Sequence, residues 1–245
     1  MPGRARSAAP SRLCDDDALM RRALRALSTV LIVAGALMLA DAVLTLVWQE
    51  PVSTVYARIV QGQLGGDLER LQKRKPTTLD LAALQKFATE RRRMAFLARR
   101  LRADSDEGAA VGRIRIARIG ADFVLVDGTD ADDLRKGPGI YDDVPFPGAP
   151  GTTAIAGHRT TYAAPFRRID KLKRGDPVVV EMPYGRLTYE VEKTRIVAPT
   201  EVSVVDRVSF DRLVLSACHP LYSAAQRIVV FARLVAAQAR GAARL

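Results

Sequence analysis

Cysteine and histidine are scarce in this chain, with Cys 2 and His 2 among 245 residues, so where they fall is informative. Leu213 to Cys218 reads as an apolar β-strand and Gln226 to Leu234 as the next, with the loop Pro220 to Ala225 between them. That hairpin brings Arg227 alongside Cys218 across a strand pair. His158 ends another predicted strand, Thr152 to Gly157, beside a polar loop. A thiol that attacks a carbonyl needs a base or cation to raise its thiolate fraction, and a fixed positive group to hold the oxyanion. Arginine suits the second task because it stays charged and presents several donors in one plane. Taken singly, a histidine is usually structural and a cysteine closing an apolar strand is usually a small buried hydrophobe. Together the three point to nucleophilic acyl chemistry, with Cys218 as nucleophile, His158 as proton-transfer partner and Arg227 as electrostatic stabiliser. His219 should face away from Cys218's cleft, since neighbouring side chains on a strand alternate, and it reads as a structural or rim residue. Cys14, among Asp15, Asp16 and Asp17, reads as an unconstrained exposed thiol. Two cysteines are too few for a disulfide framework or a four-ligand zinc site.

These residues need a rigid carrier, and from Val111 onward the texture supplies one: short β-type runs separated by Gly, Pro and Asp, as in an all-β barrel or sandwich. Eight strands are expected, near Arg113–Ile119, Asp122–Val126, Thr152–Gly157, Pro177–Met182, Leu187–Val197, Val202–Val205, Arg212–Cys218 and Arg227–Val235. Short helices fit Asp130–Arg135, with Thr129 as cap, and Ala164–Leu172. This domain is expected over 111–237, with a disordered tail at 238–245.

Ahead of it lies a basic leader, 1–25, containing Arg4, Arg6, Arg12, Arg21, Arg22 and Arg25, followed by an apolar stretch from Ala26 to Trp48 long enough to span a bilayer. The positive-inside rule keeps the leader in the cytoplasm and sends everything after Trp48 outside, with Trp48 at the outer interface. A cleavable signal peptide ending near Ala40-Asp41-Ala42 is the alternative, but Val43, Leu44, Leu46, Val47 and Trp48 prolong the apolar run past the cut. Residues 49–110 read as an extracellular linker carrying an amphipathic helix at about 78–102, opened by Thr77-Thr78-Leu79-Asp80. Its stripe is Leu84, Phe87, Met94, Leu97 and Leu101, and its charge comes from Arg91, Arg92, Arg93, Arg99, Arg100 and Arg102. The stripe packs on the domain, or the basic face docks on anionic lipid or wall polymer.

The net charge of +11 admits nucleic acid, a membrane surface or an anionic wall polymer as partner. Zinc-finger spacing, aromatic-basic RNA motifs and phosphate-cradling glycine loops are all missing from the sequence, which argues against nucleic acid.

Three ordered segments carry a resemblance: Ala154-Ile155-Ala156-Gly157-His158-Arg159-Thr160-Thr161-Tyr162, then Val214-Leu215-Ser216-Ala217-Cys218-His219-Pro220, then Ala225-Gln226-Arg227-Ile228-Val229-Val230. Over roughly Val111 to Val235 the chain resembles a sortase. Gly-His-Arg-Thr-Thr-Tyr, the Ala-Pro-Phe soon after it and Cys-His-Pro are similar to the class E sortases of actinobacteria. The resemblance implies a mainly β fold, an eight-stranded closed barrel, and a membrane-anchored cysteine transpeptidase. It would cleave a Leu-Ala-x-Thr-Gly or Leu-Pro-x-Thr-Gly-like sorting signal between Thr and Gly through a thioester, without metal or organic cofactor. The implied partners are signal-bearing secreted proteins, a lipid-linked peptidoglycan amine and membrane lipid. Tyr141, Arg159, Thr160 and Tyr162 flank the motifs on loops as substrate contacts, and Ala217 adjoins the nucleophile. Val214 and Ala217 stand where the common pattern has threonines, so a substrate hydrogen bond from a hydroxyl at Ala217 is lost. No Asp-Pro-Phe or Asp-Pro-Trp lid precedes the domain, which argues against a pilin-polymerising enzyme. A non-catalytic wall-binding barrel is the reading from another class.

The nucleophile assignment makes a direct prediction. Cys218→Ala removes both cleavage and transfer of a sorting peptide, while Cys14→Ala leaves both intact; release of the glycine-led fragment by the Cys218→Ala protein, read by mass spectrometry, would exclude Cys218.

Overall fold

The computed structural model describes residues 12–48 and 51–245, with side chains from 20 to 43 and from 53 onward. Arg4, Arg6 and the side chains of Arg12, Cys14 and Trp48 lie outside the described residues. The chain divides into two units, 1–48 and 49–245. The first contains one helix, α1 (Arg12–Trp48), so the expected leader and span are continuous. Its segment Met20–Val43 has a mean hydropathy of 2.1 and no protein cover. At ~1.5 Å per residue it is long enough to cross the hydrocarbon of a bilayer.

The second unit opens on a helix where a linker was expected: α2 (Pro51–Lys73). Leu64 and Leu68 are buried and, with Val60 and Leu71, pack against Ala110, Val124 and Val126. Burying each leucine contributes ~1.5–3 kcal/mol. Gln61 locks the register of this packing: its Nε2 donates to Val124 O at 3.1 Å and Lys136 O at 2.9 Å, while the Val124 N–H donates to its Oε1 at 2.7 Å. The amphipathic helix is two helices, α3 (Thr78–Gln85) and α4 (Glu90–Asp104). Thr77 and Asp80 form a reciprocal capping box on α3, and Thr89 caps α4, so a second N-terminus interrupts the stripe. Leu84 and Met94 are buried. Arg91 pairs with Asp211, Arg93 donates to Ala243 O at 3.0 Å and Phe87 O at 3.2 Å, and Arg102 holds Asp127 and the carbonyls of Tyr141 and Asp142. These cations serve the domain itself.

The strands are β1 (Ala110–Ile116), β2 (Ala121–Asp127), β3 (Gly139–Ile140), β4 (Thr152–Ala156), β5 (Pro177–Met182), β6 (Gly185–Val197), β7 (Arg212–His219) and β8 (Gln226–Ala239), with α5 (Ala131–Lys136) between β2 and β3. They close a barrel in the order β1-β2-β3-β4-β7-β8-β6-β5. Ile114, Leu125, Ile155, Val180, Leu215 and Val230 fill it, all fully buried. Eight strands were expected and eight are present, with one exchange. Val202–Val205 is a 3-10 turn, and the two-residue β3 completes the count. Val202 is exposed while Val204 and Val205, adjacent in sequence, both pack partly on the core, so the run lacks the alternating buried face of a strand. The helix expected at Ala164–Leu172 contracts to a 3-10 turn at Ile169–Lys171, and Asp130 rather than Thr129 stands at the cap of α5. The tail expected to be disordered continues β8 to Ala239 and ends in a 3-10 turn, Gly241–Arg244, whose Ala243 is buried.

Gln61→Leu keeps the volume but leaves the three backbone groups unpaired, at ~1–3 kcal/mol in total. The expected result is a melting temperature lower by roughly 3–10 °C for the detergent-solubilised chain; an unchanged value would remove Gln61 from the anchoring of α2.

Candidate active site

β7 and β8 are antiparallel, and Cys218 is the Cα partner of Arg227. β4 runs parallel to β7 on the other side, with Ala156 opposite Ser216. The pairing continues past the strand, where the Gly157 N–H donates to Ser216 O at 3.0 Å. Two residues further on, this register sets His158 level with Cys218, both on one face. The three residues singled out from sequence therefore lie on β7, on β8 and just past the end of β4, with Cys218 in the middle. Cys218, His158 and Arg227 are all partly exposed.

Arg227 is held by the hairpin loop. Its Nη1 donates to Ala224 O at 2.9 Å and Gln226 O at 3.0 Å. Among the described residues no partner takes Nε or Nη2, so the forked edge of the guanidinium remains available to an anion.

His158 opens a loop closed by Phe166, whose N–H donates to His158 O at 3.0 Å. The Phe166 ring lies so close to Gly157 that a Cβ there would sit 2.6 Å from Phe166 Cδ2, which explains the glycine before the histidine. Tyr162, Ala163 and Ala164 follow with φ of 50°, 60° and 42°, a left-handed turn that costs about 1 kcal/mol or more per residue. Contacts from outside sustain it. The Tyr162 ring lies 5.2 Å from the His158 ring and 6.2 Å from Tyr56 of α2, and the Tyr162 N–H donates to the Ser53 hydroxyl at 3.3 Å. Ser53 and Tyr56 are site neighbours that the sequence reading left in a linker. The signal that could have found them is the periodicity Ala57, Val60, Leu64, Leu68, Leu71.

Burial, with the Arg135 guanidinium as second cause, holds the His158 imidazolium below its ordinary pKa of 6.5. At neutral pH the ring is uncharged, hence able to accept the thiol proton rather than to donate one at the outset.

The expected substrate contacts separate. Thr160 and Tyr162 are partly exposed on the loop beside His158. Arg159 is buried, 4% exposed, and its side chain is engaged by protein groups, so it is not a substrate contact. Ala217 is buried in the barrel core because alternation turns it away from the face of Cys218. Tyr141 pairs with Ala154, four residues before His158, and packs on the core, which places it ~13 Å back along the strand from the reactive end. His219 turns toward Arg159, in keeping with its expected structural role.

A closed barrel with a cysteine and an arginine on paired strands and a histidine just past the end of the neighbouring strand is an arrangement suited to cysteine-dependent acyl transfer. The family model of the sortase domain matches residues 114–235. Sortase D of Bacillus subtilis (strain 168) is 36% identical over 134 residues, covering 53% of this chain and 66% of the relative. Sortase SrtE1 of Streptomyces coelicolor is 33% identical over 94 residues, 35% of this chain and 27% of the relative. Sortase E from Streptomyces avermitilis has the same fold, with a TM-score of 0.51 at 31% identity, covering 55% of this chain and 93% of that one. The chain thus belongs to the sortase family, whose members are cysteine transpeptidases. It spans less than two thirds of the length of these curated relatives.

The depressed pKa of His158 sets a sign. The unfolded chain takes up a proton at about pH 6.5 while the folded ring stays neutral to lower pH. The stability His158 contributes is therefore complete above 6.5 and lost as pH falls through the folded value. Thermal unfolding between pH 7.5 and 5 should fall more steeply for the wild type than for His158→Gln; equal slopes would mean an unperturbed ring.

Proposed function

We propose that this protein is a membrane-anchored sortase that cleaves a C-terminal sorting signal between Thr and Gly and passes the acyl group to a cell-wall amine. The observation that carries the reading is the pairing of Cys218 with Arg227 while the β4 register brings His158 to the same level. As the Cys218 sulfur attacks the threonine carbonyl, its proton passes to neutral His158. The carbonyl π-electrons move onto oxygen, where the free edge of Arg227 receives the charge. Collapse breaks the C–N bond, the imidazolium protonates the departing glycine amine, and a thioester remains. An incoming amine attacks the thioester, His158 takes its proton, and as the C–S bond breaks the imidazolium returns that proton to the departing Cys218 sulfur. The partial exposure of Thr160 and Tyr162 beside His158 supports them as contacts to the signal peptide.

The apolar helix α1 supports an anchor with the N-terminus in the cytoplasm and the barrel outside. A C-terminal reporter active outside the cell and retained in the membrane fraction is the expected outcome. A shortened soluble form beginning near Ala42 would overturn it in favour of a signal peptide. The Gly157 to Tyr162 and Cys218 to Pro220 segments, with the likeness to sortase E, favour a Leu-Ala-x-Thr-Gly signal and a lipid-linked peptidoglycan amine as acceptor. Leu-Pro-x-Thr-Gly is the comparison peptide.

Arg227 offers the sharpest test of the mechanism. Arg227→Lys keeps the charge but loses the planar fork, so single-turnover acylation should fall ~10²- to 10³-fold. Peptide affinity, measured in a Cys218→Ala background, should change far less, because the carbonyl carries little charge before attack. Near-normal acylation in a well-folded variant would remove Arg227 from the oxyanion site.

A further inference from the structure

The buried Arg159 joins the two segments that carry the reactive pair. Its Nη1 lies 3.1 Å from Nδ1 of His219, Nη2 donates to Asp170 Oδ1 at 2.8 Å, and Nε donates to Arg167 O at 3.2 Å. All three guanidinium nitrogens are therefore engaged, as a charge this buried requires. Burial raises the pKa of Asp170, but hydrogen bonds from Arg159 and Lys171 and the charge of Arg159 outweigh it, so Asp170 is held below its ordinary value and stays anionic. Guanidinium nitrogens only donate, hence Nδ1 of His219 is the acceptor and its ring proton sits on Nε2.

The placement gives the bond its meaning. Arg159 directly follows His158, and His219 directly follows Cys218. The last backbone rung between β4 and β7 is the Gly157 N–H to Ser216 O bond, short of both reactive residues. Beyond it, the Arg159–His219 bond continues the pairing on the face opposite to Cys218 and His158. We infer that Arg159 and His219 are positioning residues whose hydrogen bond fixes the spacing of His158 and Cys218. The inference rests on the reading of those two as base and nucleophile.

Arg159 is a poor place to test this, because its removal strands Asp170 and could unfold the barrel. His219 is a better one. His219→Asn puts an amide oxygen where Nδ1 stands, and His219→Leu offers similar bulk without an acceptor. The probe is the alkylation rate of Cys218 by iodoacetamide, followed by mass spectrometry on the full detergent-solubilised chain in a Cys14→Ala background, alongside thermal unfolding. The expected result is a rate lowered about 10- to 100-fold in His219→Leu and restored to within a few-fold of wild type in His219→Asn. Single-turnover acylation by whichever sorting peptide is cleaved should follow the same pattern with peptide affinity little changed. A His219→Leu protein as reactive as wild type, or a His219→Asn protein as slow as His219→Leu, would overturn the positioning role. Failure of the underlying catalytic reading has a different signature: alkylation of Cys218 indifferent to His158→Ala, or peptide cleavage surviving Cys218→Ala.

Discussion

Parallel pairing of β4 with β7 is the constraint on which the proposed reactive centre depends. Cys218 and Arg227 meet through a hairpin, a local event that a short loop secures. His158 and Cys218 meet only because two strands far apart in sequence run side by side in parallel, which requires the chain to travel through β5 and β6 and return. The beginning of that pair is fixed from several directions. Gly151 N–H donates to Asp211 Oδ1 at 3.0 Å, Arg212 N–H to Gly151 O at 3.0 Å, and the Thr152 hydroxyl to Asp206 O at 2.9 Å. A slip of one residue would turn His158 to the opposite face from Cys218. The β4–β7 pairing is therefore what brings three separated motifs together in the proposed centre.

The loop after His158 shows how such a centre is kept rigid without regular structure. Three non-glycine residues in left-handed conformation form a segment that would relax if left alone. It is clamped from below by Phe166 on Gly157 and from the side by the aromatic sequence His158, Tyr162, Tyr56. The last of these rings comes from α2, whose own seat on β1 and β2 is fixed by Gln61 and two buried leucines. The segment joining the apolar helix to the barrel is thus a structural element whose first turns touch the loop of the proposed base.

What the sequence disclosed follows from how local the determining forces are. The strands that bury a face, and the pairing of Cys218 with Arg227, were legible because alternation and a short loop determine them. β3 was not, since two residues carry no period, and its place depends on closing the sheet between β2 and β4. α2 was hidden by Gly62, Gly65 and Gly66, which lower helix propensity, and its helicity comes from the packing of Leu64 and Leu68. The substrate contacts fared worst. Arg159 looked like an exposed loop arginine because nothing local reveals Asp170 and His219 closing around it. Tyr141 looked close because β3 was unseen, and with it the antiparallel direction that carries Tyr141 away from His158.

The positive charge of the chain looks different once its arginines are placed. Arg102 joins α4 to Asp127 and to two carbonyls after β3 while its guanidinium lies 4.9 Å over the Phe146 ring. Arg212 donates to Val204 O and Asp206 O and lies 5.3 Å over Phe231. Arg159 engages three groups at once. Each position needs one side chain to satisfy several acceptors in a plane while stacking or packing by its faces, which an ammonium cannot do. A count of basic residues in such a chain overstates the charge offered to a polyanion, because these guanidinium groups have protein acceptors. In Arg227, which is partly exposed, the loop occupies one nitrogen and leaves the Nε–Nη2 edge free. An arginine half-satisfied by its own backbone is held in place yet still has donors to give, and that is the condition for binding charge that appears only during a reaction.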